Sequence, residues 1–178
     1  MSHIEQVNYC MKIKNEFPKY FKNKSTLDCG SLDINGNNRY LFEGGTYTGV
    51  DVGVGPNVDI VSMVHALELP SNSVEFIVST EMLEHDMHYD KSLTNMVRML
   101  KPGCMLLFTC ATTGRGEHGT RRTTPGNAPL LSGEWSDYYK NLTEADIKSI
   151  KGFIDEFSEY HFEVNNNSHD LYFYGIKR

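Results

Sequence analysis

The feature that most constrains this chain is a glycine turn that follows one short apolar segment and precedes another ending in a carboxylate. Residues 27–36 read LDCGSLDING, so Gly30 lies directly after a strand predicted for residues 25–29. A second predicted strand, residues 47–51, ends at Asp51, about twenty residues further on. In an open parallel sheet, such a turn supplies backbone N–H groups and such an acid binds ribose hydroxyls. The pattern therefore predicts a nucleoside site.

The charge of the turn indicates which nucleoside it binds. Asp28 and Asp33 place two carboxylates there, which repel a pyrophosphate and attract a ligand that carries positive charge. We therefore expect S-adenosylmethionine as the cofactor. A nicotinamide-dependent enzyme of the same sheet type is the alternative. It is disfavoured by this acidic turn, by the missing third glycine of its motif and by the short chain.

Length and composition exclude several classes of protein. The 178 residues suit one domain, residues 1–178. A formal net charge of −6 disfavours nucleic acid as a partner, because such proteins need a basic surface. A membrane partner is not expected either, since no apolar run approaches the ~18 residues of a span. The four cysteines have no metal-ligand spacing and are predicted to be reduced thiols in a cytoplasmic protein.

Helical and strand patterns alternate along the chain. An amphipathic helix is predicted for residues 3–17, within an N-terminal segment 1–22, and Pro18 ends it. Further helices are predicted for residues 37–42, 89–100 and from Thr143 onward, and further strands for residues 58–63, 74–79, 104–110, 161–164 and 170–177. This order predicts the α/β class, with a mostly parallel seven-stranded sheet and one antiparallel C-terminal strand.

Four pieces of the sequence resemble the class I S-adenosylmethionine-dependent methyltransferases of the small-molecule type. Residues 27–31 stand where that family has an acidic-x-Gly-x-Gly motif, and Asp51 stands at the end of the second strand. Residues 65–70, HALELP, are similar to Asp-Ala-x-x-Leu-Pro, and residues 81–85, EMLEH, contain the Leu-Glu-His piece that follows strand four. The resemblance implies a Rossmann-like sheet with helices on both faces and a methyltransferase activity.

The resemblance also implies a set of cofactor-binding residues at the strand ends. They are Asp28, Gly30, Ser31, Asp33, Asp51, Val52, His65, Ala66, Leu67, Thr80 and Glu81. Asp28 and the Gly30–Ser31 backbone would face the aminoacyl end of the cofactor, and Asp51 would accept both ribose hydroxyls. Two positions depart from the family pattern: the second motif glycine is absent, and His65 replaces an aspartate.

The roles of the remaining cofactor residues follow the later strand ends. The backbone of Ala66 and the side chain before it would read the adenine edge. Thr80 and Glu81 would lie beside the reacting methyl group.

Two histidines are the candidate catalytic residues. His85 follows strand four, and its imidazole is suited to take a proton from a hydroxyl or amine acceptor. His118 belongs to the irregular segment after strand five and is expected to meet the acceptor. Glu81 and His85 are four residues apart, as metal ligands on a helix would be. Because the spacing places no third ligand, we predict no metal site here.

The segment 111–142 is the predicted substrate lid. It follows the fifth strand, so it would lie over the carboxyl ends of the strands. The resulting substrate-binding residues are Glu117, Arg121, Arg122, Tyr138 and Tyr139. Either arginine would bind an anionic group of the acceptor. Trp135 and the two tyrosines either close the substrate pocket or belong to the core, and Arg115 is assigned to a solvated loop.

These observations predict a methyltransferase for a small-molecule or sugar-like acceptor. Since the sulfonium is already activated, the protein mainly aligns the acceptor and excludes water. The alternative is an inactive methyltransferase-like module that holds the cofactor or a protein partner. The two departures from the family pattern favour that alternative, whereas the group of charged residues at 117–122 disfavours it.

Overall fold

The computed structural model describes residues 2–178 and forms one seven-stranded sheet. Its strands are β1 Lys22–Cys29, β2 Glu43–Asp51, β3 Ile60–Val61, β4 Val74–Thr80, β5 Leu100–Ala111, β6 Phe157–Asn165 and β7 Asp170–Lys177. They lie in the order β3-β2-β1-β4-β5-β7-β6. Neighbours pair in parallel, except that β7 is antiparallel to both β5 and β6. The predicted fold class, with one reversed strand, is confirmed.

Helices cover both faces of this sheet. They are α1 Ile4–Glu16, α2 Tyr89–Met99 and α3 Glu144–Lys148. On one face, Tyr9, Cys10 and Ile13 of α1 pack with the side chains of β4, β5 and β7 that point that way. On the opposite face, α2 and α3 pack against the other side chains of β1, β4 and β5. Burial of these two apolar layers is the main source of stability.

Local signals set the helix ends where the sequence predicts them. The side chain of His3 accepts from the backbone of Gln6 at the start of α1, and the helix ends before Pro18. Thr143 begins α3 with a reciprocal capping box, in which its side chain and that of Asp146 each bond to the other's backbone N–H. The predicted N-cap at Thr143 is therefore confirmed.

Several strand bounds differ from the sequence predictions: β1 begins at Lys22 rather than at residue 25, and β5 begins at Leu100 rather than at residue 104. β2 begins at Glu43 rather than at residue 47, because its backbone pairs in register with β1 from Lys22 onward and includes Gly44 and Gly45. β3 is two residues long, and β6 begins at Phe157. The segment after β1 has only a short 3₁₀ helix, Asn38–Leu41. Hydrogen bonding between strands that are distant in sequence sets these bounds. They therefore cannot be predicted from local composition.

Two further features bear on the predicted setting of the protein. The four cysteines are free thiols, as predicted. No helix among residues 2–178 has the length and apolar character needed to cross a membrane. The cytoplasmic location stays a prediction.

Candidate active site

The main cavity lies at the carboxyl ends of β1, β2 and β4, where parallel sheets bind ligands. Counted out to its open mouth, it holds about 990 Å³ of empty space. Strand-end residues and the turns after them form its floor. Residues 127–131 and Trp135 of the predicted lid form the opposite wall, and Leu130 lies against the Gly53 backbone. Part of the segment 111–142 therefore lines the cavity, and its role as a substrate lid stays a prediction.

The turn after β1 uses its glycine for conformation and for close packing. Gly30 has a φ of +81°, and a Cβ there would lie 2.6 Å from Cβ of Met82. The N–H groups of Gly30 and Ser31 both donate to the carbonyl of Val50, at 2.9 and 3.0 Å. These two amides are therefore already engaged. The turn shapes the cavity floor rather than supplying the free donors that the sequence analysis expected for a carboxylate.

Asp51 ends β2 with its carboxylate in the cavity lining. Its Oδ2 accepts from the N–H of Leu32 at 3.0 Å, and its Oδ1 accepts from the N–H of Val52 at 2.8 Å. Burial raises the pKa of this carboxyl above its ordinary value, and the two amides oppose that rise. Each oxygen keeps a further lone pair, so the group is held in place and can accept two more hydrogen bonds.

Asp28 lies at the end of β1 and is buried. Its Oδ1 accepts from Nδ2 of Asn38 at 3.1 Å, and its Oδ2 accepts from the hydroxyl of Tyr47. Asn38 also donates to Oγ1 of Thr80 at 3.0 Å, so one amide links the ends of two neighbouring strands. Burial raises the pKa of Asp28 to about 6. Asn38 itself lines the cavity.

Glu81 lines the same cavity, but its carboxylate belongs to a structural ion network. The residue has a φ of +55°, which is rare outside glycine. Its Oε1 accepts from Thr109 at 2.9 Å, and its Oε2 lies 3.5 Å from Nε2 of His3. The same histidine nitrogen is 3.4 Å from Oδ2 of Asp170, which also pairs with Arg115. Through His3, these contacts hold the start of α1 against the sheet.

Next to this network lies a second group, Glu84, His85, His118 and Tyr139. Nε2 of His118 is 3.8 Å from Oε1 of Glu84, and the His118 ring is edge-on to the His85 ring at 5.0 Å. Burial, and then the charge of Glu81, raise the pKa of Glu84 to about 8. Burial, and then His118, lower the pKa of His85 to about 3. His85 also lines the main cavity.

Comparison with known proteins finds one family model that matches the central part of the chain. A family model described as a methyltransferase domain matches residues 27–108, which run from the end of β1 through most of β5. This segment is similar to a methyltransferase domain, in agreement with the resemblance found in the sequence. No match was found among curated proteins.

Solved structures of methyltransferases share this fold over nearly the whole chain. Phosphoethanolamine N-methyltransferase 2 of Haemonchus contortus, in complex with S-adenosyl-L-methionine, is 17% identical with a TM-score of 0.66. The alignment covers 96% of this chain but only 52% of that one, so the chain spans about half the length of that enzyme.

A second solved structure is the 1,6-didemethyltoxoflavin-N1-methyltransferase of Burkholderia thailandensis, with its substrate and S-adenosylhomocysteine. It is 14% identical with a TM-score of 0.65, over 97% of this chain and 77% of that one. The YcgJ protein of Bacillus subtilis is 11% identical with a TM-score of 0.62, over 96% and 99%. At these identities the likeness shows the fold.

The fold brings many of the sequence-predicted site residues to one cavity and leaves others outside it. Those that line the cavity are Asp28, Gly30, Ser31, Asp51, Val52, Thr80, Glu81, His85 and Trp135. Asp33 instead accepts from Gly36 and Asn37 within its own turn. The adenine-reading residues His65, Ala66 and Leu67 are not part of the lining, and the preceding Ser62, Met63 and Val64 take that place.

The charged lid residues pair with one another away from the cavity. Arg121 binds the carboxylate of Asp137 through Nε and Nη2. Arg122 donates to Glu117 and to the backbone carbonyl of Asp137. Glu117 also accepts from Thr120. The structure therefore gives both arginines partners within the lid itself, and neither they nor Glu117 and Tyr138 line the cavity.

Three contributors to the site escape the sequence analysis. Asn38 and Tyr47 hold Asp28, and Leu130 supplies an apolar wall. In the sequence, a polar residue such as Asn38 near a strand end only weakly indicates a site residue. An apolar residue in a polar loop, such as Leu130, is a better indication. Arg115 is half-buried against Asp170 rather than solvated, because the lid begins beside the start of β7.

Asp28 makes a testable link between stability and pH. Its folded-state pKa of about 6 lies above the ordinary value of 3.8, so the native state binds the proton more tightly than the unfolded chain. The stability due to this proton is complete below pH 4 and is lost as the pH rises through 6. We expect the free energy of unfolding of wild type relative to Asp28→Asn to fall by on the order of 2–3 kcal/mol across that window.

Urea unfolding of both proteins between pH 4 and pH 8 measures this difference. A constant difference would contradict the prediction. Asp33→Asn is the matched control, because this aspartate is only partly buried in the turn, and hydrogen bonds from Asn37 and Gly36 lower the pKa of its carboxyl.

Proposed function

We propose that this domain binds S-adenosylmethionine in the main cavity and transfers its methyl group to a small-molecule acceptor. The observation that carries the proposal is the Asp51 carboxylate. It ends the second strand, faces the cavity, is fixed by two backbone amides and retains two free acceptor positions. Two vicinal ribose hydroxyls are the donors that such a carboxylate suits.

The rest of the cavity fits the other parts of this cofactor. Leu32, Val52, Met63 and Val64 line the cavity as apolar surfaces suited to an adenine ring. Asp28, Asn38 and Thr80 line the cavity with a carboxylate, an amide and a hydroxyl group, whose oxygens suit an ammonium group. The cofactor supplies a methyl group on a sulfonium, which is already activated for displacement. The chain therefore has to orient the acceptor and exclude water.

The lining favours a neutral or cationic acceptor. Among the described residues that line the cavity there is no lysine or arginine, whereas four are acidic: Asp28, Asp51, Glu81 and Asp86. The lid contributes apolar side chains together with Trp135. Two of the structural neighbours act, by their names, on phosphoethanolamine and on 1,6-didemethyltoxoflavin, both small molecules. A sugar-like or anionic acceptor stays a prediction that this lining does not support.

Titration calorimetry tests the proposal without knowledge of the acceptor. We expect S-adenosylmethionine and S-adenosylhomocysteine to bind at one site per chain with micromolar dissociation constants. A screen of small hydroxyl and amine compounds for release of S-adenosylhomocysteine then tests transfer. Absence of binding by both cofactor forms would refute the proposal. Binding without transfer to any acceptor class would favour the non-catalytic module.

A further inference from the structure

The group formed by Glu84, His85 and His118 has the composition of a metal site. Each residue offers one ligand atom, and these atoms all lie within 4.8 Å of one another. Glu84 is fully buried, His85 is 7% exposed, and the His118 side chain is 13% exposed. The fold therefore brings together three potential metal ligands, including a third one that the sequence spacing does not reveal.

Most polar atoms of this group have no hydrogen-bond partner. Both carboxylate oxygens of Glu84, both ring nitrogens of His85 and the hydroxyl of Tyr139 are buried without one. Leaving a buried polar group unpaired costs about 1–3 kcal/mol, and more for a charged one. Five such atoms side by side indicate that a further group, able to accept electron pairs, completes the site.

His118 is oriented as metal-bound histidines are. Its Nδ1 lies 3.1 Å from the carbonyl oxygen of Gly116, so this nitrogen must carry the hydrogen. The Nε2 lone pair then faces Glu84, at 3.8 Å from Oε1. Histidines that bind a metal through one ring nitrogen usually donate the hydrogen of the other nitrogen to a carbonyl or carboxylate.

The lid backbone is shaped to bring His118 to this place. Gly119 has a φ of +71°, and a Cβ there would lie 2.6 Å from Cε1 of His85. Only glycine lets the lid pass this close to the His85 ring, and the residue before it is the third ligand. The approach of two segments distant in sequence is therefore specific to this cluster.

We propose that Glu84, His85 and His118 bind a divalent transition-metal ion, with Zn²⁺, Mn²⁺ and Fe²⁺ as the candidates. Two imidazoles and one carboxylate are suited to these ions rather than to Ca²⁺ or Mg²⁺, which prefer oxygen. Around a tetrahedral ion with bonds of 2.0–2.2 Å, ligand atoms lie about 3.4 Å apart, so a small contraction of the present spacing suffices. Three protein ligands leave a coordination position for another molecule.

The position of His85 suggests what the ion does. His85 lines the main cavity, so a metal bound to it adjoins the proposed cofactor site, and this step rests on the proposed function. An acceptor hydroxyl bound to the ion loses its proton to solvent more readily. Its oxygen then forms a bond to the methyl carbon as the carbon–sulfur bond breaks. S-adenosylhomocysteine leaves with a neutral thioether sulfur, and the acceptor becomes a methyl ether.

Metal titration of the tag-free full chain, first treated with a chelator, tests the site directly. We expect calorimetry to show one equivalent of Zn²⁺ bound with a dissociation constant of 10 µM or lower, a strength that corresponds to ~7 kcal/mol or more. His118→Ala and Glu84→Gln should each weaken binding at least 100-fold, because each removes one of three ligands. His88→Ala is the matched control, since this nearby histidine contacts His65 and Trp135 instead.

The absorption spectrum of the Co²⁺-loaded chain identifies the ligands independently. Visible bands without a sulfur charge-transfer band support the nitrogen and oxygen set, whereas a sulfur band would assign the ion to a cysteine and overturn the proposal. Absence of Zn²⁺, Mn²⁺ and Fe²⁺ binding by wild type would also overturn it, as would unchanged binding in both ligand variants. Glu84→Gln keeps the size of a buried side chain, and a thermal melt confirms that each variant is folded.

The two proposals fail in different ways. Zn²⁺ binding without any binding of S-adenosylhomocysteine would refute the proposed function and leave the metal site intact. Methyl transfer that persists in the metal-depleted protein, with no metal bound by wild type, would refute the metal site alone.

Discussion

Asp51→Ala is expected to weaken the binding of S-adenosylhomocysteine at least 100-fold. The substitution removes a charged acceptor for two ribose hydroxyls, and hydrogen bonds to charged groups contribute about 1.5–3 kcal/mol each. Two of them correspond to a factor of about 100 or more in the dissociation constant. Titration calorimetry at fixed pH measures the effect. Asp51→Asn keeps one acceptor oxygen and should give an intermediate loss.

Asp33→Ala is the control for this experiment. Both aspartates are among the predicted cofactor-binding residues, but Asp33 accepts hydrogen bonds from Gly36 and Asn37 within its own turn and does not line the cavity. Its replacement should change the dissociation constant less than about threefold, within the usual effect of a surface change. Equal losses for the two variants would contradict the placement of the cofactor on Asp51. Circular dichroism shows whether the loss of the Leu32 and Val52 contacts alters the fold.

Gly30→Ala is expected to lower the free energy of unfolding by about 3 kcal/mol or more. The left-handed conformation costs an alanine roughly 1–2 kcal/mol, and the overlap with Met82 adds a packing penalty of similar size. The new methyl would lie 2.6 Å from Met82 Cβ and 2.7 Å from its Cγ. Urea denaturation monitored by the single tryptophan, Trp135, measures the change.

Gly103→Ala separates the two costs. Gly103 has a φ of +73°, close to that of Gly30, but a Cβ there would meet nothing within 4 Å. Gly103→Ala should therefore lower the free energy of unfolding only by the conformational cost, about 1 kcal/mol. The double variant Gly30→Ala with Met82→Ala should recover part of the Gly30→Ala loss relative to Met82→Ala alone. Equal losses for the two glycine variants would show that Met82 does not constrain the turn.

Local patterns in the sequence determine much of this protein. The α/β class, the glycine turn at Gly30, the carboxylate that ends β2 and the cap at Thr143 all depend on residues close together in the chain. Backbone conformation follows such local signals, because sterics, caps and strand alternation act over a few residues. The motif order then indicates a nucleoside site at the strand ends.

Only the tertiary structure decided which side chains meet. Arg121 and Arg122 have the residue type of an anion clamp, yet the folded lid pairs them with Asp137 and Glu117. His118 has no local sign of a partner, yet the lid brings it to Glu84 and His85, the third ligand that spacing alone does not supply. Charge pairing and ligand convergence depend on distances between segments far apart in sequence. Those distances are set by the packing of the whole sheet and lid rather than by any single segment.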